Sequence, residues 1–267
     1  MSTSDDQSKE QGTLKFSEAA SPLPSPGLKP ENTAERLCLE ALKIGQSIWV
    51  DPEPDASTQL EDISIRPGFC HSILRQIFKR RQENQDITSI YEWTNLNGPF
   101  TTRELQLVET TMALDKTLPF AAQMRPRPEQ TQTLIRADFL RSVIQSCQHS
   151  HPDGIFATTS KFCISGAIII DELNLSHTTI KAPLNLTYCH FEEIADFSYS
   201  KLAGLNLSGS YCPGLTCNGA ELNGPLILSK GFTANGDTEI INTVINGTLD
   251  AKDGYFQPTI ASLDNDA

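Results

Sequence analysis

The tetrapeptide Leu-Asn-Leu-Ser/Thr occurs three times, at Leu173–Ser176, Leu184–Thr187 and Leu205–Ser208, with starts 11 and then 21 residues apart. A polar residue flanked by two apolar ones is the two-residue period of a short strand with both apolar side chains on one face. The same triplet recurs at Leu215-Thr-Cys217, Leu226-Ile-Leu228 and Leu249-Asp-Ala251. Aligned on the hydrophobe that precedes each triplet, the chain reads Ile180, Phe191, Leu202, Cys212, Leu222, Phe232, Ile245 and Phe256, in steps of 11, 11, 10, 10, 10, 13 and 11. Units this short cannot bury their apolar face alone, but stacked in a coil each covers the next. Two units make one turn, so the spacings of 11 and 21 are a half-turn and a whole turn. The leucines then point inward and the asparagines outward.

Residues 164–260 hold about 4.6 such coils, a stack about 20 Å tall at the ordinary strand spacing. Gly166, Gly204, Gly209, Gly214, Gly219, Gly224, Gly247 and Gly254 fall at the breaks, where corners demand positive φ. The step of 13 predicts a protrusion around Thr233–Glu239, and Asp171–Thr179 reads as carrying inserted residues. A charge at Leu205 or Leu226 is expected to collapse this half of the chain, whereas one at Asn206 is expected to be harmless.

Before Gly154 the period is helical. Residues 1–30, rich in Ser and Pro, read as a disordered tail, or as a leader for secretion. A helical region follows over 31–150. Leu37, Leu39, Leu42 and Ile48 share a helical face behind an Asn32 or Thr33 cap, and Phe69, Ile73, Ile77 and Phe78 share a second. The basic Lys79, Arg80 and Arg81 suit a helix C-terminus. A third helix starts at Thr101 or Thr102 and turns Leu105, Val108 and Met112 inward. Arg125–Gln130 reads as a linker. The last helix, 133–148, carries the stripe Leu134, Phe139, Leu140, Val143, Ile144 and Cys147, with Arg136, Asp138 and Arg141 in water.

The stretches Leu134–Gln145, Ile164–Ile170 and Glu221–Phe256 resemble a group of uncharacterised bacterial proteins related to the pentapeptide-repeat solenoids, sometimes labelled oxidoreductase or membrane-associated. Their pattern is an Arg-Ala-acid-Phe-Leu-Arg helix followed by coils with Gly231-Phe232, Ala234, Gly236, Ile245, Gly247, Leu249 and Gly254 in place. The resemblance spans about residues 133–258. It implies a right-handed β-solenoid behind a helical cap, and no motif here supports the oxidoreductase label. The expected fold is therefore α+β: a helical region over 31–150, a solenoid over 155–260 with about 10–11 residues per half-coil, and a tail over 261–267.

The net charge of −12 and pI near 4.8 exclude general nucleic-acid affinity, which needs a basic face. No apolar run is long enough to span a bilayer. Seven cysteines without CxxC spacing or an export signal read as reduced thiols of a cytoplasmic protein. Cys147, His149 and His151, with His71 elsewhere, fall short of a zinc site's four ligands. Cys189-His190 beside His177 has the residue types of a thiolate–imidazole pair, but Cys163, Cys189, Cys212 and Cys217 sit near inward repeat positions. The Asn-x-Ser/Thr triplets at Asn174, Asn185, Asn206 and Asn246 follow from the repeat. Lys161, Lys181 and Lys201 step by 20 residues, which offers a cationic ladder for an acidic partner.

No cofactor or metal is expected. The leading expectation is a non-enzymatic interaction or scaffold module that offers the flat faces of the solenoid to a protein partner. One alternative is an acidic nucleic-acid mimic that inhibits a DNA-binding enzyme, as some pentapeptide-repeat solenoids inhibit topoisomerases. Over residues 161–260, ten acids face five lysines, a thin excess for a mimic. The other alternative is a translocated effector with enzymatic activity in the helical half. The last coil needs a cover, so either the tail after Phe256 folds over it or two chains meet end to end, and the expectation is a homodimer joined through the C-terminal end of the solenoid.

Overall fold

A computed structural model describes residues 29–50, 57–65, 71–86, 100–130, 133–146 and 162–257. Its back half is a four-sided β-solenoid of about four turns. Face I stacks Phe162–Ser165, Leu184–Thr187, Leu205–Asn206, Leu226–Ile227 and Leu249–Asp250. Face II stacks Ile168–Ile170, His190–Phe191, Tyr211–Cys212, Thr233–Ala234 and Tyr255–Phe256. Face III runs from Leu173–Asn174 to Thr238–Glu239, and face IV from Thr179–Ile180 to Val244–Ile245. All these pairings are parallel. On face I, Phe162 pairs with Leu184, Leu184 with Leu205, Leu205 with Leu226 and Leu226 with Leu249, one column advancing by one turn at each step.

This register explains the repeated tetrapeptide. Leu184 and Leu205 lie on one another on face I, a whole turn apart, while Leu173 is on the opposite face III. The leucines are buried against the axis. The asparagine stays outside and closes the next corner: Asn206 Oδ1 accepts from the Ser208 amide at 2.9 Å and its hydroxyl at 2.7 Å. Asn174 does the same for Ser176, and Asp196 accepts from the Ser198 amide. Asn206 Nδ2 also donates to Asn185 Oδ1 of the preceding coil at 3.2 Å.

The half-coil period is a period of left-handed corners. Gly166, His177, Tyr188, Tyr199, Gly209, Gly219, Lys230, Asn242 and Asp253 all have φ between 52° and 72°, one at each half-coil. Most are not glycine, and the expected glycines at 204, 214, 224, 247 and 254 are not left-handed. Gly224 is required by proximity instead, since a Cβ there would sit 2.1 Å from the Ala203 carbonyl oxygen. At Gly209 both reasons combine: φ is +71° and a Cβ would meet the Tyr188 ring at 2.3 Å.

Two register expectations change. Ala234, not Phe232, pairs with Cys212, so the long step disappears and the additional residue lies at Ser229–Phe232. Asp171–Thr179 carries no insertion, because Leu173 and Thr179 pair in register with Ala195 and Lys201.

The helices are α1 (Thr33–Lys43), α2 (Leu60–Ile63), α3 (His71–Gln82), α4 (Thr102–Ala113), α5 (Phe120–Met124) and α6 (Ala137–Ser146). Asn32 caps α1, accepting from the Glu35 amide, and Thr101 caps α4 in a reciprocal box with Glu104. On α4 it is Leu107, Val108 and Thr111 that face inward, while Leu105 and Met112 are exposed. None of the helices is long and apolar enough to cross a membrane, among the described residues.

The helical region completes the front of the solenoid with strands of its own. Ser47–Trp49 adds to face I, pairing Ile48 with Ile164, and Leu134–Arg136 adds to face II, pairing Leu134 with Ile168. Ile48 is thus a strand residue, and the expected helix over 133–148 begins only at Ala137. α1 and α6 close the same end and share one apolar core with the coils. Arg136 is not in water: it grips the fully buried Glu35 through Nε and Nη2, each at 2.9 Å, while its amide donates to the same carboxylate. The other helices lie along the flank. Trp49, Phe78, Phe120 and Tyr188 pack there, with Trp49 stacked on Tyr188 at 5.5 Å and Phe120 edge-on to it at 5.7 Å.

Three substitutions on one strand test this geometry by thermal unfolding. Leu205→Asp should abolish the cooperative transition, because it places an unpaired charge on the axis. Asn206→Asp should cost less than Asn206→Ala, since aspartate accepts the corner amide as Asp196 does and loses only the donation to Asn185. Asn206→Ala should cost about 1 kcal/mol through the lost corner bonds. Separately, Glu35→Ala should cost about 1–3 kcal/mol by removing its three hydrogen bonds with Arg136, whose guanidinium keeps Glu31 at 2.9 Å.

Candidate functional site

Lys181 and Lys201 do not stack on one another. Lys201 pairs in register with Thr179 and Glu221, and its Nζ lies 3.0 Å from Glu221 Oε2. Ile180 pairs with Leu202, which sets Lys181 level with Ala203 rather than with Lys201. The lysines recur slightly too early for the turns that bring Leu184 onto Leu205 and Leu226 onto Leu249, so the column drifts. Lys161 lies outside the described residues, as do Cys147, His149 and His151. The side chain of His71 does too.

The second candidate set is split by the strand period. Cys189 is buried, and burial pushes its thiol up to about 12. His190 is the next residue and faces outward, stacked on Tyr211 with ring centroids 4.7 Å apart. His177 stacks on Tyr199 at 5.0 Å, on the corner between faces III and IV. Thiol and imidazoles are therefore on opposite sides of the wall. Cys217 is likewise raised to about 12 by burial, and Cys212 is raised for the same cause. These thiols fill the axis as small hydrophobes. No grouping of His, Cys, Asp and Glu with metal-binding geometry occurs among the described residues.

The outward strand positions read, for face III, Asn174, Asp196, Thr216 and Glu239; for face IV, Thr179, Lys201, Glu221 and Val244. On these faces no two successive coils place acids at these positions. The acids gather instead on a shallow groove where Glu172, Glu193 and Asp196 surround Ile194 and Pro213.

The feature that the repeat reading anticipated, and that the structure makes concrete, is the far end. Leu184, Leu205 and Leu226 are buried, yet Leu249, next in the same column, is 51% exposed. Cys212 and Ala234 are buried, and Phe256 above them is 41% exposed. Val244 and Tyr255 continue the outward columns of Glu221 and Thr233 and are exposed for that reason. An apolar cross-section and four strand edges thus face outward at this end, among the described residues. Sequence reasoning missed a second feature, Arg125 at the end of α5. Read as linker, it reaches the solenoid corner and hydrogen-bonds the Gly209 and Gly231 carbonyls, each at 2.6 Å. Only its neighbours in space identify it.

The chain matches no protein-family model, no curated protein and no solved structure.

Alkylation of the native protein at about pH 8, followed by mass mapping, should leave Cys189, Cys212 and Cys217 unmodified, and denaturant should expose all three. Rapid native labelling at any of them would contradict the axial placement.

Proposed function

We propose that this chain is a non-enzymatic interaction and scaffold module of the pentapeptide-repeat kind, which pairs end to end with a second copy of itself. The observation that carries this reading is the open C-terminal end, where positions buried in every earlier coil are exposed. A second solenoid end supplies what such a cross-section needs: an apolar surface of the same outline and strand edges on four sides. The front end is filled by α1, α6 and the two added strands, which leaves one face of this kind. Two-fold pairing through a single face closes on itself instead of propagating. Kinship with pentapeptide-repeat solenoids draws support from the four strands that make up each coil, one per side.

The mimic reading needs acids stacked coil on coil, and the columns on faces III and IV weigh against it. The effector reading gains nothing from Cys189 and His190, which point to opposite sides of the wall.

Sedimentation equilibrium from about 1 to 100 µM should show a monomer–dimer equilibrium. Leu249→Glu combined with Phe256→Glu should weaken it by at least about tenfold, since each buried side chain of this size is worth about 1.5–3 kcal/mol. An unchanged circular dichroism spectrum would exclude misfolding as the cause. A strict monomer throughout the range would overturn the proposal.

A further inference from the structure

Arg125 lays its guanidinium over the corner between faces I and II. Nε donates to the Gly209 carbonyl, and Nη2 donates to the Gly231 carbonyl and, at 3.0 Å, to Thr233 Oγ1. All three acceptors are neutral, and no carboxylate pairs with this cation among the described residues. Nη1 makes no hydrogen bond there either. Burial makes the charge costly, as the lowering of the Arg125 pKa by desolvation indicates.

Thr233, which accepts from Nη2, is the last of three side chains that successive coils set in one column of face II. Thr233 pairs in register with Tyr211, and Tyr211 with His190. The His190 and Tyr211 rings lie nearly parallel, at 15°. Neither the His190 ring nitrogens nor the Tyr211 hydroxyl has a hydrogen-bond partner among the described residues. The column thus carries an imidazole and a phenol and ends at the residue that the cation grips, each of the three groups with a donor to spare.

We propose that this corner binds a tetrahedral oxyanion of the phosphate or sulfate type, held by Arg125 Nη1, the His190 ring and the Tyr211 hydroxyl. A tetrahedral anion presents acceptors in several directions, which suits donors arriving from three separate side chains. The site is independent of the open end and of the pairing proposed there.

The site has a pH dependence of known sign. Burial first, and the Arg125 charge second, hold His190 below its ordinary pKa, so it is neutral at pH 7. Arg125, from the end of α5, is the charged group that acts on it; Glu192, two residues along the chain, does not. A bound anion favours the protonated ring. Binding therefore strengthens as pH falls through the His190 pKa, and the anion raises that pKa in turn.

Sulfate is the probe, because it stays dianionic over about pH 5 to 8 while His190 titrates. The ring resonances of the intact protein, followed by NMR in sulfate and in chloride at equal ionic strength, should show the His190 pKa about one unit higher in saturating sulfate. That corresponds to about tenfold tighter binding to the protonated form. His177, on the corner between faces III and IV, should not move. Tyr211→Phe should weaken sulfate binding several-fold with an unchanged melting temperature, a readout that avoids disturbing the Arg125 contacts. Titrations with inorganic phosphate and methyl phosphate separate the sources: equal binding assigns the site to a phosphate ester, rejection of the ester to the free ion. An identical His190 pKa in sulfate and chloride, or equal sulfate affinity in Tyr211→Phe and the parent protein, would overturn the proposal.

Discussion

Each coil of this protein is stable only against its neighbours. A strand of two to four residues has neither the length nor the apolar area to persist alone. Parallel stacking in register resolves this, because it sets Leu184, Leu205 and Leu226 on one another and satisfies the backbone between coils. The chain must then turn sharply at fixed intervals, and left-handed residues at every half-coil do so. Outward Asn and Asp side chains bond the amides that the corners expose. Axis, corners and closures are one device, repeated.

Such a stack has two ends, and the chain treats them differently. At the front, distant segments join the same sheets, and the Glu35–Arg136 pair fastens α1 to the added strand. A buried pair of this kind contributes little net energy but makes the arrangement intolerant of losing either member. Along the flank, the stack of Trp49 on Tyr188 and the reach of Arg125 bind the helices to several coils at once. The exposed Arg75–Asp253 pair adds little to this, as surface ion pairs do. At the far end nothing comparable occurs among the described residues. Among the described residues, the asymmetry between a filled end and an exposed one is what gives the solenoid a direction.

Reactive side chains that sequence alone sets next to one another are separated by the wall: Cys189 faces the axis and His190 the outside. Charged side chains on face IV neutralise one another at Lys201 and Glu221 instead of forming a single-sign surface. What remains are shape, strand edges and the corner where α5 meets faces I and II.

The solenoid was legible because its determinants are local and periodic. Leucine alternation defines a strand within one tetrapeptide, and its recurrence a whole turn later places it on its predecessor. Phe232 was assigned out of register because any hydrophobe near the expected spacing satisfies the pattern, and only the pairing of Cys212 with Ala234 decides between them. Lys181 and Lys201 fall out of line for a related reason, since their step is shorter than one coil. Ile48 and Leu134 read as helical by spacing, yet both are in strands, because their partners Ile164 and Ile168 lie far along the chain. The sequence by itself therefore determined that a coil would form and most of the residues that line its axis. Tertiary structure alone decided what fills the front end, where Arg125 lands and which side chains share a corner, because those contacts join residues that no local period relates.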